Sequence, residues 1–184
     1  MALASPAWAA DLLHVWFHVL KPAQWYKRDD AVDAMLARRF ARRVGPFSYL
    51  SADRFLTNRD TARAAILLFD QIPRNCFRGS PAAFAADPLA RALSRAAIAR
   101  GWHRGLPKGQ AQFVLLPLMH SEHAEDQRAS LHRFAELGDA RNLRFAREHA
   151  RMIFRFGRFP HRNAVLGRRS SAAEQKAIAA GNVW

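Results

Sequence analysis

The sequence contains little of several features that would narrow its class. Its 184 residues include one cysteine, Cys76, so an intrachain disulfide is excluded and we interpret the thiol as a small apolar filler. No run reaches the roughly 18 apolar residues that would span a bilayer. The first basic residue is Lys21, and His14 interrupts the apolar amino-terminal stretch. We therefore expect no secretory signal, no membrane partner and a cytoplasmic location.

Lysine is also scarce, although the formal net charge is +14. Of the 29 basic residues, 25 are arginine, and they are scattered over nearly every segment without a block of five or six. This distribution favours a solvated basic surface over a dedicated nucleic-acid site. RNA binding through that surface is kept as an alternative, because a net charge of this size attracts polyanions.

Strand signals and nucleotide-binding motifs are missing as well. No window keeps a strict alternation of apolar and polar residues, and alanine, leucine and arginine dominate. The P-loop, G-x-G-x-x-G, G-x-S-x-G and paired-cysteine motifs are absent. Half of the residues are hydrophobic, which supplies a core for a single helical domain over residues 1–184.

Apolar residues recur instead at spacings of three and four, which predicts helices. In the first half of the chain we expect helices at 11–19, at 29–42 with a stop at Gly45-Pro46, and from about 61 to Pro73. The next helix should run from an Asp87 cap to Gly101, and another should cover 110–120 with a kink or a restart at Pro117. The last three should run from a Ser121 cap to Gly138, from Asp139 to Gly157, and onward from a Ser171 capping box. The fold class is therefore all-α, with about seven to nine helices packed as antiparallel hairpins.

Three polar elements at helix ends, residues 70–80, 120–123 and 157–170, are unlike ordinary connections. Arginines beside apolar residues in such loops are expected to be partly buried, and a buried guanidinium needs a carboxylate, a backbone acceptor or an anionic ligand. A helix start adds unpaired N–H groups, which favour anions. The candidate ligand-binding residues are Asp70, Gln71, Arg74, Asn75, Arg78, Ser121, Arg158, Arg162 and Asn163, and the candidate proton carriers are His120, Glu122 and His161.

One interpretation is a pocket in which Arg74, Arg158 and Arg162 hold a small carboxylate or phosphate, or a peptide-like ligand. Asn75 and Asn163 would orient that ligand. No residue pattern assigns a reaction, so the sequence does not say whether the protein is an enzyme.

The alternative is that the loops brace one another, with Asp70 and Glu122 paired to Arg74 and Arg162. The domain would then be a protein-interaction module, with exposed aromatic residues along a groove. The discriminating observation is whether the arginine head groups contact these carboxylates or point into an open cavity.

A metal site is not expected, and neither is a cofactor. The run His120-Ser121-Glu122-His123 is not the H-E-x-x-H motif, whose two histidines share one helix face. The first of these histidines is expected to precede its helix rather than lie within it.

Four runs carry a resemblance to a known family: QWYKRDDAVD (24–33), AAILLFDQIPRNCFRGSPAAFAADPLA (64–90), LLPLMHSEHAEDQRAS (115–130) and FAREHARMIFRFGRFPHRNAVLGRRSSAAE (145–174). They resemble the bacterial family called domain of unknown function 924, over most of the chain. The resemblance implies an all-α fold similar to tetratricopeptide-repeat proteins, a right-handed array of hairpins. It implies no activity. Residues 45–58 are unlike the usual connection.

Overall fold

The apolar stretch that predicts a central helix forms helix α4, Arg59–Asp70, in the computed structural model, which describes residues 4–181. Every residue from 61 to 70 is buried, so this helix presents no face to solvent over that length. It packs against the helices before and after it, and the fully buried Phe69 belongs to the main hydrophobic core.

The described residues form helices joined by turns and loops and contain no strand, which confirms the all-α class. Among the described residues the helices form eight continuous stretches, which agrees with the predicted seven to nine. The first three stretches each join several elements: α1 Ala7–His14 continues as the π-helix Val15–Val19; α2 Asp30–Leu36 continues through the π-helix Ala37–Ala41 into α3 Arg42–Ser48; and α4 is followed closely by α5 Ile72–Cys76. The other five are single helices: α6 Asp87–Ala99, α7 Lys108–Met119, α8 Ala124–Leu137, α9 Ala140–Phe156 and α10 Ala172–Ala179. Short 3₁₀ turns lie at Pro22–Trp25, Ala52–Phe55, Pro81–Ala83 and Pro160–Arg162.

Consecutive helices pack on one another in the second half of the chain. α6 packs on α7, α7 on α8 and α8 on α9, and the short connections between them produce helical hairpins. The right-handed, tetratricopeptide-like arrangement is consistent with this packing and stays a prediction. No helix among residues 4–181 has the length and apolar character needed to cross a membrane.

The strongest helix boundaries are where the sequence predicts them. Asp139 accepts a hydrogen bond from the backbone N–H of Asn142 at 3.0 Å and so caps α9. Gly138 and Gly157 end α8 and α9 with positive φ angles of 66° and 71°, which glycine adopts without steric penalty. Ser171 opens α10 through the predicted capping box.

One proline prediction is wrong and another is wrong in part. The helical stretch that begins at Asp30 does not stop at Gly45-Pro46, because α3 continues to Ser48 with Pro46 inside it. A proline in the last turn removes one backbone hydrogen bond near the helix end, where few remain to be lost. Pro117 likewise lies close to the end of α7, which runs through it without restarting, so the predicted restart is wrong and a kink there stays a prediction.

Two predicted caps also differ. Asp87 is the first residue of α6 rather than its N-cap, and its carboxylate binds arginines instead of backbone N–H groups. The N-cap of α8 is His123, whose backbone N–H donates to Ser121 Oγ at 3.2 Å. Ser121 therefore supports the turn before α8 without capping that helix.

Candidate functional site

The first polar element is built where α4 ends and α5 begins. Asp70, the last residue of α4, is 1% exposed, and its carboxylate accepts hydrogen bonds from Gln71 Nε2 at 2.6 Å and His120 Nδ1 at 2.8 Å. Burial by itself raises the pKa of Asp70, but the neighbouring His120 and Arg74 outweigh it and hold that pKa well below its usual range. The Asp70 carboxylate is therefore charged and held in a fixed position at the end of α4.

Asp87, which sequence reasoning assigned only to a cap, joins two of the candidate arginines. It accepts from both terminal nitrogens of Arg74, at 2.9 and 3.0 Å, and from Arg162 at 3.3 Å. Arg74 also donates to the backbone carbonyl of Asp70 at 2.5 Å. These bonds hold the Arg74 and Arg162 guanidinium groups in fixed positions.

Arg162 is held between two aromatic rings. Its guanidinium carbon lies 4.6 Å from the ring centroids of both Phe84 and Phe159, and it donates to the His120 carbonyl oxygen at 3.0 Å. Burial lowers the pKa of Arg162 to about 10, with the nearby Arg74 adding to the effect. The group still carries its charge at neutral pH.

Three histidines lie beside these arginines. His149 donates from Nδ1 to the Phe145 carbonyl oxygen at 2.8 Å, and burial lowers its pKa to about 3. Burial likewise lowers the pKa of His161 to about 4 and depresses that of His120. All three imidazoles are therefore neutral at pH 7, and the bond from His120 Nδ1 to Asp70 makes Nε2 its unprotonated nitrogen.

These side chains surround a cavity of about 480 Å³, which we call the central pocket. The size is that of a small-molecule site. Its lining includes four arginines, three histidines and several aromatic rings, but no aspartate or glutamate. The lining residues are Trp25, Tyr26, Gln71, Arg74, Asn75, Arg78, Gly79, Ala83, Phe84, Leu116, Met119, His120, Arg141, Asn142, Phe145, His149, His161 and Arg162.

The four arginines of the central pocket differ in how their charge is balanced. Arg74 and Arg162 share Asp87, and Arg78 binds Asp33 through two bonds of 2.7 and 3.1 Å. Arg141 lies over the rings of Tyr26 and Phe145, at 5.6 and 5.9 Å from their centroids. Within residues 4–181, no carboxylate lies within the 4.0 Å of an ion pair with Arg141.

A second cavity, of about 530 Å³, lies on the other side of Phe84, His120 and Arg162, which line both. Ser121 and Glu122 line this side cavity and not the central pocket. Glu122 binds Arg168 at 2.8 and 3.0 Å and accepts from the Phe159 backbone N–H at 2.8 Å. It thus pairs with Arg168 and not with Arg162, the partner expected from bracing.

Two candidate residues line neither cavity. Arg158 makes two bonds to Glu174 at 2.7 and 3.0 Å and a third to the Arg169 carbonyl oxygen. Asn163 is fully buried and donates to Ser170 Oγ at 3.0 Å. Both residues attach the chain around α10 to the loop after α9, so the structure gives them a bracing position.

Seven of the candidate residues lie around the central pocket: Gln71, Arg74, Asn75, Arg78, His120, His161 and Arg162. The predicted binding residues did not include Arg141, Asn142 and His149 on α9, which also line the pocket. Their signal was weak, because a polar residue on an amphipathic helix is ordinarily part of a solvated face. No group of three metal-binding side chains occurs among the described residues.

The sequence matches a family described as bacterial protein of unknown function (DUF924) over residues 12–182, and the chain belongs to this family. A solved structure of a protein of unknown function from Agrobacterium tumefaciens is similar to this chain, with a TM-score of 0.87 and 34% sequence identity. The match covers 94% of this chain and 97% of the other. No curated protein matches the sequence.

Proposed function

We propose that the central pocket binds a small organic anion with a planar apolar part. The observation that carries the proposal is the lining, which combines four arginines with aromatic rings and contains no carboxylate. Pockets of this kind use apolar surface for affinity and a few polar groups for orientation. We keep the five predicted binding residues that line the pocket and leave out the other four: Gln71, Arg74, Asn75, Arg78 and Arg162 are kept, and Asp70, Ser121, Arg158 and Asn163 are left out.

Charge balance assigns the anion to one part of the pocket. Arg74, Arg78 and Arg162 are each paired with an aspartate outside the lining, so their positive charge is largely compensated. Arg141 has no such partner among residues 4–181 and is exposed at the amino-terminal end of α9. The ligand's anionic group is therefore expected beside Arg141, with Tyr26 and Phe145 against its apolar part.

The paired arginines still contribute as fixed hydrogen-bond donors. Asn75 supports them, because its Oδ1 accepts from Arg78 at 2.9 Å while its amide donates to the Gln71 carbonyl oxygen at 3.1 Å. A preorganised donor loses little conformational entropy on binding. The neutral His120 can accept a hydrogen bond or a proton from a bound ligand, with Asp70 stabilising the imidazolium that would form.

The test is calorimetric titration with 2-naphthoate, and with its neutral analogue 2-naphthamide. Naphthoate is expected to bind the more tightly, and Arg141→Ala is expected to weaken it about tenfold, since a charge-assisted hydrogen bond contributes about 1.5 kcal/mol. Arg144→Ala, one turn along α9 and outside the lining, is the matched control. Equal binding of acid and amide, or equal effects of both variants, would contradict the proposal.

A second candidate function is a protein-interaction module. The observation that favours it is that arginines of the polar elements form ion pairs with carboxylates of the same chain. Of the two pairs that bracing predicts, Arg74 lies 3.3 Å from Asp70, whereas Glu122 binds Arg168 in place of Arg162. Arg74 and Arg162 also contact Asp87, and Arg78 contacts Asp33. Tyr26, 48% exposed at the pocket, would then contact a partner protein. Absence of naphthoate binding would favour this candidate. The cytoplasmic location stays a prediction.

A further inference from the structure

One exposed face of α9 carries several arginines close together. α9 carries arginines at 141, 144, 147, 151 and 155, all exposed to solvent. At 100° per residue these positions fall within an arc of about 120°, opposite the buried side of the helix at Ala146, His149 and Ile153. We call Arg144, Arg147, Arg151 and Arg155 the α9 stripe.

The α9 stripe is nearly free of compensating charge. The one acidic residue of α9 is Glu148, whose carboxylate lies 4.0 Å from Arg144. Among residues 4–181, no carboxylate lies within ion-pair distance of Arg147, Arg151 or Arg155. This contrasts with five arginines of the polar elements, which bind aspartate or glutamate: Arg74, Arg78, Arg158, Arg162 and Arg168.

An aromatic side chain borders this face. Phe154 is 51% exposed, and Arg128 from the neighbouring helix α8 lies over its ring at 5.5 Å from the centroid. Arg155 stacks on the ring of Phe156 at 4.8 Å. An exposed ring beside arginines is the combination that proteins use for unpaired bases, whose faces stack on aromatic side chains while cations contact the phosphates.

We propose that the α9 stripe binds single-stranded nucleic acid, with its arginines on successive phosphates and Phe154 as a stacking surface for a base. The stripe extends about 16 Å along the helix axis from Arg144 to Arg155, at 1.5 Å per residue. Neighbouring arginines are separated by three or four residues, which is about 4.5 to 6 Å along the axis, so each long side chain can reach a different phosphate of an extended strand. This surface is separate from the central pocket, so its failure leaves the proposed small-anion site untouched.

The test is fluorescence anisotropy with a labelled 20-nucleotide polyuridine RNA. Four phosphate contacts predict a logarithmic salt slope of about −2.8, so the dissociation constant should rise about 50-fold between 50 and 200 mM salt. The double variant Arg147→Glu with Arg151→Glu should weaken binding at 50 mM salt at least tenfold. Phe154→Ala should weaken it about fivefold, the lower end for loss of one stacked base.

The matched control is Arg38→Glu with Arg42→Glu, which changes the net charge equally at two exposed arginines outside α9. It should weaken binding less than threefold, and circular dichroism should show that both double variants retain their helices. Equal weakening by the two double variants, or no binding at 50 mM salt, would overturn the proposal. So would binding to phosphatidylserine vesicles through the α9 stripe without RNA binding, or equal affinity for a 20-base-pair duplex, whose bases are closed to Phe154.

Discussion

Replacement of His149 by glutamine is expected to remove part of the protein's sensitivity to acid. His149 is 5% exposed, and burial lowers its pKa from the ordinary 6.5 to about 3 in the folded state. Because the folded pKa is the lower one, the unfolded chain takes up the proton first as the pH falls. The contribution of His149 is fully present above pH 6.5 and is lost progressively between pH 6.5 and pH 3.

The size of the effect follows from these two pKa values. At pH 5 the unfolded imidazole is almost fully protonated and the folded one is neutral, so the linkage relation gives a loss of about 2 kcal/mol relative to pH 8. Glutamine keeps a hydrogen-bond donor for the Phe145 carbonyl oxygen that His149 now contacts, but it does not titrate. His149→Gln should therefore lose about 2 kcal/mol less than the wild type between pH 8 and pH 5.

Urea denaturation at both pH values measures this difference directly, as the change in the free energy of unfolding. His132→Gln is the control, because that side chain is 68% exposed. Equal losses of free energy between pH 8 and pH 5 for His149→Gln and the wild type would contradict this prediction. A nitrogen NMR spectrum showing a protonated His149 at pH 5 in the folded protein would refute it independently.

Two further changes test the packing around the site. Asp87→Asn is expected to lower the free energy of unfolding by about 3 kcal/mol, because Arg74 and Arg162 lose their shared carboxylate while staying largely buried; a loss below 1 kcal/mol in urea denaturation would contradict this. Gly157→Ala should destabilise by about 1 kcal/mol, since its φ is +71°. A thermal melt in which Gly157→Ala left the midpoint unchanged or raised it would contradict this expectation.

The fold could be predicted wherever a local signal decides a backbone conformation. The Asp139 cap, the Gly138 and Gly157 ends and the Ser171 box each depend on neighbours within a few residues. Pro46 shows the limit, because its effect depends on how many backbone bonds of α3 remain beyond it. That number depends on tertiary packing, which the local sequence does not contain.

For the site, sequence reasoning identified the polar loops but not how their charges would be paired. Arg74 and Arg158 look alike in sequence, yet Arg74 lines the central pocket and Arg158 binds Glu174. Asp87 appeared to be a helix cap because it precedes Pro88, and only the folded chain places it between two arginines. Which carboxylate neutralises which guanidinium is a long-range property of the fold.

The most direct test of the account is a crystal of the protein soaked with 4-bromobenzoate, whose bromine is located by anomalous scattering. We expect one bromine site inside the central pocket, beside Tyr26 and Phe145, with the carboxylate contacting Arg141. The neutral 4-bromobenzamide should occupy that site weakly or not at all. Bromobenzoate ordered only outside the pocket, or equal occupancy by acid and amide, would contradict the proposal that the central pocket binds an organic anion.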